Sequence, residues 1–188
     1  ADVTALAETI RDEGLSIAAS CAARTHRGDV QAIIDISQAT SVPIEILTFL
    51  GSSPIRMYAE GWDVPRLETL TATAVKMGVD AGLPVAFVTE DTIRSHPKTL
   101  ERVFKTAIDH GAERLILCDT VGHASPDGLR ALVTWTRELV EKLGAKTKLD
   151  WHGHNDRGLA LVNALFAIEA GCDRVHGTAL GIGERVGN

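Results

Sequence analysis

Apolar residues along the chain form two alternating patterns, short continuous runs and longer stretches with helical spacing. The short runs, typical of buried strands, cover residues 15–24, 44–50, 84–88, 115–118, 149–154 and 174–180. Amphipathic stretches lie between them, such as residues 100–108, where apolar positions recur at intervals of three and four. The pattern therefore predicts six strand–helix alternations, which are typical of a parallel sheet.

Glycine and proline set most of the predicted boundaries. Asp63 with Pro65 indicates the start of a long helix that ends near Ala81, and Gly111 ends the helix that Pro97 begins. Residues 55–63 fit neither period and are predicted to be irregular.

Polar residues at the strand ends favour a barrel over a doubly wound open sheet. Five predicted strand ends carry them: Arg24, Glu90 with Asp91, Asp119 with Thr120, His152 with His154, and residues 184–188. A barrel gathers all such positions on one rim, whereas an open sheet gathers only those beside its switch point. The predicted class is therefore α/β, a (β/α)8 TIM barrel. It is expected to be incomplete, because 188 residues fall short of the roughly 250 that are typical.

His152 and His154 are candidate metal ligands. Alternate residues of a strand project to one face, so both imidazoles should point the same way at the end of the fifth predicted strand. Imidazole nitrogens bind divalent metals at roughly 2.0–2.1 Å, and the polar residues that follow could complete the site. The alternative is a pair of histidines that face solvent or make ordinary hydrogen bonds.

Other residues on the rim can be explained either by a functional role or by an ordinary structural contact. Glu90 would be costly to bury unpaired and needs a cation or metal nearby, and a salt bridge to Arg94 would satisfy it. Asp119 with Thr120 could hold a substrate carboxylate or could cap a turn. His123 follows on the same rim and is a candidate substrate-binding residue, while the other histidines, His176 included, are expected to be structural or exposed.

The glycine-rich residues 181–187 allow two interpretations. Their GxGxxxG spacing differs from the GxGxxG pattern of dinucleotide sites, and no helical pattern clearly follows. Glycines that let the backbone approach a ligand closely explain the segment better.

Composition excludes several functions. The formal charge is −6 and no basic run occurs, so nucleic acid is not an expected partner. The apolar runs are too short and interrupted for a membrane span. Three widely spaced cysteines indicate buried thiols in a reducing compartment, and the cytoplasm is the expected location. The sequence starts within a helical pattern and without Met, so the chain is expected to be a fragment.

Four motifs together resemble one enzyme family. Residues 152–160 read HGHNDRGLA, residues 181–188 read GIGERVGN, residues 89–94 read TEDTIR, and residues 119–122 read DTVG. Their order and spacing are similar to those of the alpha-isopropylmalate synthase and homocitrate synthase family. These enzymes are metal-dependent TIM-barrel acyltransferases of the DRE-TIM metallolyase superfamily. The resemblance covers nearly the whole chain.

The resemblance implies a set of metal ligands and a domain assignment. A divalent ion (Mn, Mg or Zn) would be held by His152, His154 and Asn188, together with an Asp on a first strand that has no counterpart here. Residues 1–188 would then form part of a pyruvate carboxyltransferase-like TIM-barrel catalytic domain, about strands three to eight, without a regulatory domain. The fragment alone is expected to be inactive, and the full-length protein is expected to be a homodimer.

The resemblance also implies a Claisen-type condensation of acetyl-CoA with a 2-oxo acid. The expected substrate is 3-methyl-2-oxobutanoate, which gives 2-isopropylmalate for leucine biosynthesis. Glu90 and Glu184 would be catalytic, and Thr120, Arg24 and His123 would bind substrate, but the general base is not assigned. Homocitrate or citramalate synthase, a hydroxymethylglutaryl-CoA lyase-type enzyme and an inactive fragment are the alternatives.

Two departures from the family pattern concern the substrate. Leu47 stands where these synthases often have a histidine, and Val88 where a serine is common. Both positions would line the pocket for the oxo acid. The last glycine loop also lacks the reactive cysteine of the lyase group, which favours a synthase.

Overall fold

One parallel six-stranded sheet organises the protein. The computed structural model describes residues 2–187, and the strand order in its sheet is the same as the order along the chain. A doubly wound sheet reverses its strand order at a switch point, so this order confirms barrel-type winding. The strands are β1 (Ala19–Arg24), β2 (Ile44–Gly51), β3 (Val85–Glu90), β4 (Arg114–Asp119), β5 (Lys148–Gly153) and β6 (Arg174–Val175).

Helices connect the strands, as the sequence predicts, and one of them was not expected. Residues 54–60 form a short helix, so the prediction of an irregular segment over residues 55–63 is wrong. Ser53 accepts a hydrogen bond from the Arg56 N–H, Pro54 begins the helix, and Gly61 ends it with a φ of 64°. The helices are α1 (Asp2–Asp12), α2 (Arg27–Thr40), α3 (Pro54–Glu60), α4 (Val64–Asp80), α5 (Pro97–Asp109), α6 (Pro126–Lys142) and α7 (Ala160–Glu169).

The two outer strands differ from their predicted lengths. β1 begins at Ala19 rather than at residue 15, and β6 contains only Arg174–Val175 instead of residues 174–180. β6 pairs with β5 at two positions, opposite Asp150 and Trp151. Beyond that point the chain turns away through a short 3₁₀ turn, Ala179–Gly181, in which Leu180 has a φ of 68°.

The main hydrophobic core lies between the sheet and the helices. Phe87 of β3, Leu115 of β4 and Leu149 of β5 are fully buried there, together with Leu67 of α4 and Leu129 of α6. Alternate residues of each strand point to opposite faces, so their neighbours in sequence lie on the other side of the sheet.

That other face carries a second, smaller apolar cluster. Ala86, Ile116 and Cys118 are buried there, and Leu47 and Val88 pack against them. This cluster contains no helix residues, which identifies the face as the concave interior of the sheet, called here the lumen.

An ion pair across the lumen shows that the sheet curls. Glu45 lies on β2 and Arg174 on β6, with three strands between them. In a flat sheet, strand spacings of about 4.8 Å would separate these two strands by about 19 Å. The Glu45 Oε2 and Arg174 Nη2 atoms are nevertheless 2.9 Å apart. The six strands therefore form a curled, barrel-like sheet.

Two further residues join this ion pair into what we call the floor network: Glu45, Arg114, Asp150 and Arg174. Arg114 lies 2.6 Å from Asp150 and 3.3 Å from Glu45, and Arg174 lies 2.6 Å from Asp150. The Asp150 side chain has no exposed surface. Two carboxylates and two guanidinium groups balance in charge, which makes burial at the amino-terminal ends of the strands tolerable.

Apolar surface is exposed on the outside of α7. Leu161 is 74% exposed and Leu165 is 66% exposed, although both lie within a strongly apolar helix. No helix within residues 2–187 has both the length and the apolar character needed to cross a membrane.

Removing one cation from the floor network should destabilise the protein strongly. Arg114→Met leaves Glu45 and Asp150 with Arg174 alone, and an undercompensated buried carboxylate costs about 3 kcal/mol. Urea unfolding should show this loss in the free energy of unfolding.

The control is Lys76→Met, which breaks an exposed pair with Asp80 on α4. Its effect should be about 0.5 kcal/mol or less. An Arg114→Met protein as stable as the Lys76→Met protein would contradict the proposed importance of the network.

Candidate active site

A cavity of about 460 Å³ opens in the lumen toward the carboxyl ends of the strands. Its apolar half is formed by the lumenal residues Ala22, Leu47, Phe49, Val88, Ile116 and Cys118. Its polar half is formed by Glu90, Thr120, His152, His154, His176 and Glu184. We call this the site cavity. Five of the eight site residues predicted from the sequence line it.

The pair His152 and His154 lies on one face of the chain at the end of β5, as the strand period predicts. The centres of the two rings are 5.3 Å apart and the rings are nearly perpendicular. Both line the site cavity. Gly153 between them faces outward, and a Cβ there would lie 2.6 Å from the Trp151 ring nitrogen, so the spacer cannot carry a side chain without displacing Trp151.

Hydrogen bonds fix the orientation of both rings. His154 Nδ1 lies 3.2 Å from the Val186 carbonyl oxygen, to which it donates. His152 Nδ1 lies 3.1 Å from Nδ1 of a third histidine, His176. A carbonyl oxygen can only accept, so a neutral His154 carries its hydrogen on Nδ1 and has an unprotonated Nε2. The direction of the His152–His176 bond depends on which of the two Nδ1 atoms carries a hydrogen.

His176 was expected to be structural or exposed, and the structure instead places it in the site cavity. Its ring centre is 5.2 Å from that of His152, and its Nε2 lies 3.3 Å from Asp150 of the floor network. One sequence signal could have found it, since Arg174 and His176 alternate just as Asp150, His152 and His154 do. The two strands thus present matching lumenal faces.

Burial controls the charge states of these groups. Burial, with a smaller contribution from the His176 and His154 rings, lowers the pKa of His152 from 6.5 to about 4. Burial alone would raise the pKa of Asp150, but the hydrogen bond with His176 and the charges of Arg174 and Arg114 outweigh it and hold that pKa below its ordinary value. At neutral pH the site therefore holds a neutral imidazole above an ionised carboxylate.

Glu90 lies at the end of β3 with its carboxylate toward the cavity. Its expected alternative partner was Arg94, but Arg94 pairs with the buried Asp91 at 2.7 Å, so that expectation is wrong. Glu90 instead lies 3.5 Å from Arg56 of α3, which also pairs with Glu60 at 3.2 Å. The long and shared contact leaves Glu90 with capacity to accept a further hydrogen bond.

Asp119 and Thr120 point in different directions at the end of β4. Asp119 points away from the cavity, and its carboxylate accepts the backbone N–H groups of His123 and Ala124 at 2.8 and 2.9 Å. It therefore holds the turn after β4. The Thr120 hydroxyl lines the cavity and accepts the Asp91 N–H at 2.8 Å, which leaves its own hydrogen free for a ligand.

The loop after β6 is held to the rim by Arg185. Its guanidinium group makes two 2.9 Å bonds to the Asp156 carboxylate and a third bond to the Thr120 carbonyl oxygen. A further 2.9 Å bond reaches Glu184, whose carboxylate lies 3.6 Å from His154 Nε2. One side chain thus connects the loops after β4, β5 and β6.

Two predicted site residues lie outside the site cavity. Arg24 makes a two-bond pair with Asp29 and lines a neighbouring cavity of about 290 Å³, which shares Glu90 with the site cavity. His123 is exposed in a groove between α5 and α6. Asn188 lies outside the described residues. Within residues 2–187, no three His, Cys, Asp or Glu side chains are grouped as a metal site would require.

The neutral state of His152 predicts a pH dependence of stability. Between pH 6.5 and 4 the unfolded chain binds a proton at this residue that the folded chain does not. As pH falls through this window, the free energy of unfolding should therefore drop by up to about 3 kcal/mol more than in His152→Gln. Urea unfolding of the metal-free protein with EDTA present measures this difference.

His26→Gln is the control, since His26 is 71% exposed at the end of β1. This variant controls for the removal of a histidine as such, so comparison with it isolates the contribution of the buried ring. Identical pH dependence in the wild-type and His152→Gln proteins would show that His152 is not held neutral.

The contacts of Arg185 predict that Arg185→Lys loosens the loop. A lysine cannot reproduce two parallel bonds to Asp156, so local opening should become easier by about 1–2 kcal/mol. Amide exchange at Gly183 and Gly187, whose N–H groups bond within the loop, should then be about tenfold faster or more.

Arg102→Lys provides a matched control, because Arg102 makes a similar two-bond pair with Glu68 on the outer helices. It should leave exchange in the loop unchanged. If Arg185→Lys also leaves it unchanged, the loop does not depend on this residue.

Comparison with known proteins places the chain in a family. The HMGL-like family model matches residues 1–188. A homocitrate synthase AksA from Methanopyrus kandleri is 38% identical over 181 residues, which cover 95% of this chain and 43% of that protein. A 2-isopropylmalate synthase from a Geobacillus species is 32% identical over 194 residues, which cover 100% of this chain and 36% of that protein.

Solved structures agree on the fold. The hydroxymethylglutaryl-CoA lyase of Bacillus subtilis superposes with a TM-score of 0.72 at 19% identity, covering 97% of this chain and 60% of that one. The chain thus spans less than half of each of the two synthases. The match over the full length of this chain confirms the resemblance seen in its motifs, and the chain belongs to the HMGL-like family.

Proposed function

We propose that the protein condenses acetyl-CoA with a 2-oxo acid in a Claisen-type reaction, and that the oxo acid has an apolar side chain. The observation that carries this proposal is the composition of the site cavity. Two imidazoles line its polar end, and an apolar chamber formed by Leu47, Val88 and Ile116 adjoins them.

The residues present fit a divalent metal ion in part. His152 and His154 would supply two neutral nitrogen ligands, and Asn188 of the glycine-rich loop would supply an amide oxygen. A bound Mn, Mg or Zn ion would polarise the keto group and stabilise the alkoxide that forms. The Asp expected from the family pattern has no counterpart among residues 1–188.

The remaining polar residues suit substrate positioning. The Thr120 hydroxyl oxygen is held at the rim because it accepts a hydrogen bond from the Asp91 N–H. Its own hydrogen can therefore be donated to the carboxylate of the oxo acid. Glu90 and Glu184 both line the cavity and would orient the thioester or a water molecule that hydrolyses it. Arg24 and His123 would act only from outside the site cavity.

Electrostatics favour 3-methyl-2-oxobutanoate over 2-oxoglutarate. The described lining of the site cavity includes neither Lys nor Arg. On the floor, Arg114 and Arg174 are paired with Glu45 and Asp150. At the rim, Arg56 is paired with Glu60 and Glu90, and Arg24 with Asp29. A second carboxylate in the apolar half would lose its hydration without gaining a counter-ion. A branched aliphatic side chain would fit there without that cost.

The wider assignment follows from the same reaction. Residues 1–188 would belong to the catalytic domain of a homodimeric 2-isopropylmalate synthase in leucine biosynthesis. All three cysteines are free, which suits a reducing compartment such as the cytoplasm.

A thiol-release assay on the full-length protein tests this proposal. Free CoA should form from acetyl-CoA only when a divalent metal and a 2-oxo acid are both present. The kcat/KM for 3-methyl-2-oxobutanoate should exceed that for 2-oxoglutarate by about tenfold or more, since an unpaired buried carboxylate discriminates strongly. Leu47→His should reduce this preference, measured as the ratio of the two kcat/KM values. Leu6→His, at an exposed position on α1, should leave the ratio unchanged.

Three results would count against the proposal. CoA release without metal would show that the reaction does not need His152 and His154 as metal ligands. A preference for 2-oxoglutarate would favour a homocitrate synthase. Cleavage of a hydroxyacyl-CoA would instead indicate a lyase, which the absence of cysteine from residues 176–188 disfavours.

A further inference from the structure

We infer that His176 is a positioning residue: together with Asp150 it selects the Nδ1–H tautomer of His152 and so keeps the His152 Nε2 lone pair directed at the site cavity. The functional consequence rests on the proposed metal-dependent condensation. The tautomer itself does not, because it follows from contacts among residues 150–176.

The contacts form a continuous chain from the floor network to the candidate ligand. Asp150 Oδ2 lies 3.3 Å from His176 Nε2, and His176 Nδ1 lies 3.1 Å from His152 Nδ1. All three side chains project into the lumen from β5 and from the end of β6. The His152 and His176 rings meet almost edge to face, at 84°, so the nitrogen atoms point at each other and the rings do not stack.

Asp150 sets the direction of the chain because it can only accept hydrogen bonds. Its carboxylate is completely buried between Arg114 and Arg174, which lie 2.6 Å away on either side and keep it ionised. A carboxylate in that state has no proton to donate. His176 must therefore present Nε2–H to Asp150, since a bare Nε2 lone pair would face a negative charge.

The proton on His176 Nε2 decides the state of His152. A neutral His176 with its hydrogen on Nε2 accepts at Nδ1, whereas a doubly protonated ring would donate from both nitrogens, so this direction requires the neutral ring. At 3.1 Å from it, His152 Nδ1 must carry a hydrogen, because two opposed lone pairs would repel each other. The neutral His152 ring consequently has an unprotonated Nε2.

The reverse arrangement would disable the site. If His176 donated from Nδ1, then His152 would accept there and carry its own hydrogen on Nε2, which blocks that atom as a ligand. His154 avoids the same problem through a different acceptor, the Val186 carbonyl oxygen. The two candidate ligands thus reach one tautomer by independent means, one through the backbone and one through a buried ion network.

Nitrogen-15 NMR of the purified, metal-free protein tests the tautomer directly. With histidines labelled with nitrogen-15, two-bond proton–nitrogen correlations distinguish Nδ1–H from Nε2–H rings, and His152→Gln identifies the His152 signals. The wild-type protein at neutral pH should show His152 as the Nδ1–H tautomer. An Nε2–H ring at His152 in that spectrum overturns the inference without any need for a further variant.

Two substitutions of His176 separate positioning from packing. His176→Phe keeps a ring but offers no acceptor, so His152 should shift toward Nε2–H, and the affinity for Mn²⁺ alone, measured by calorimetry, should fall by about 10–100-fold. His176→Gln offers an amide oxygen at a similar reach and should preserve the Nδ1–H tautomer and most of that affinity. The control His26→Gln should change neither quantity.

The outcomes distinguish this inference from the proposed function. If His176→Phe leaves the His152 tautomer unchanged, His176 does not select it and the inference fails. If the wild-type protein shows the expected tautomer but does not bind Mn²⁺, the proposed metal-dependent function fails while the assignment of the tautomer stands.

Discussion

The buried ion network on the lumenal floor is the constraint on which the rest of the structure depends. Glu45 and Arg174 meet across the lumen from strands separated by three others, which only a curled sheet permits. Arg114 and Asp150 complete the network with balanced charge. Hydrophobic burial stabilises the strands but is not directional, whereas these contacts require particular atoms of β2 and β6 to meet, which favours the curled arrangement.

The same network reaches the candidate site through Asp150. Alternation along β5 places Asp150, His152 and His154 on the lumenal face at increasing distance from the floor, and His176 follows Arg174 in the same way at the end of β6. The ionised Asp150 at the floor therefore sets the direction of the hydrogen bonds that His176 and His152 make above it. At the rim, Arg185 holds the loop after β6 in place by donating hydrogen bonds to the Asp156 carboxylate and the Thr120 carbonyl oxygen.

The sequence predicted the fold well because its signals are local and repeated. Strand-length apolar runs, helical spacing and glycine stops located six parallel strands, and strand-end residues such as Glu90 and His152 indicated a shared rim. The errors arose where tertiary contacts decide. The contact of His176 with His152 depends on the pairing of β6 with β5, which no local pattern around His176 indicates. Glu90 pairs with Arg56, which is distant in sequence, and not with the nearer Arg94. The α3 helix was missed even though Ser53-Pro54 is a cap signal.

The central claim is that His152 and His154 direct their Nε2 atoms at one divalent cation at the mouth of this curled sheet. A crystal structure of the protein grown with Mn²⁺, with anomalous scattering collected to locate the metal, tests it most directly. One anomalous peak should lie within about 2.0–2.3 Å of both Nε2 atoms. A peak bound elsewhere, or Nε2 atoms that point away from a common centre in the presence of the metal, would contradict it.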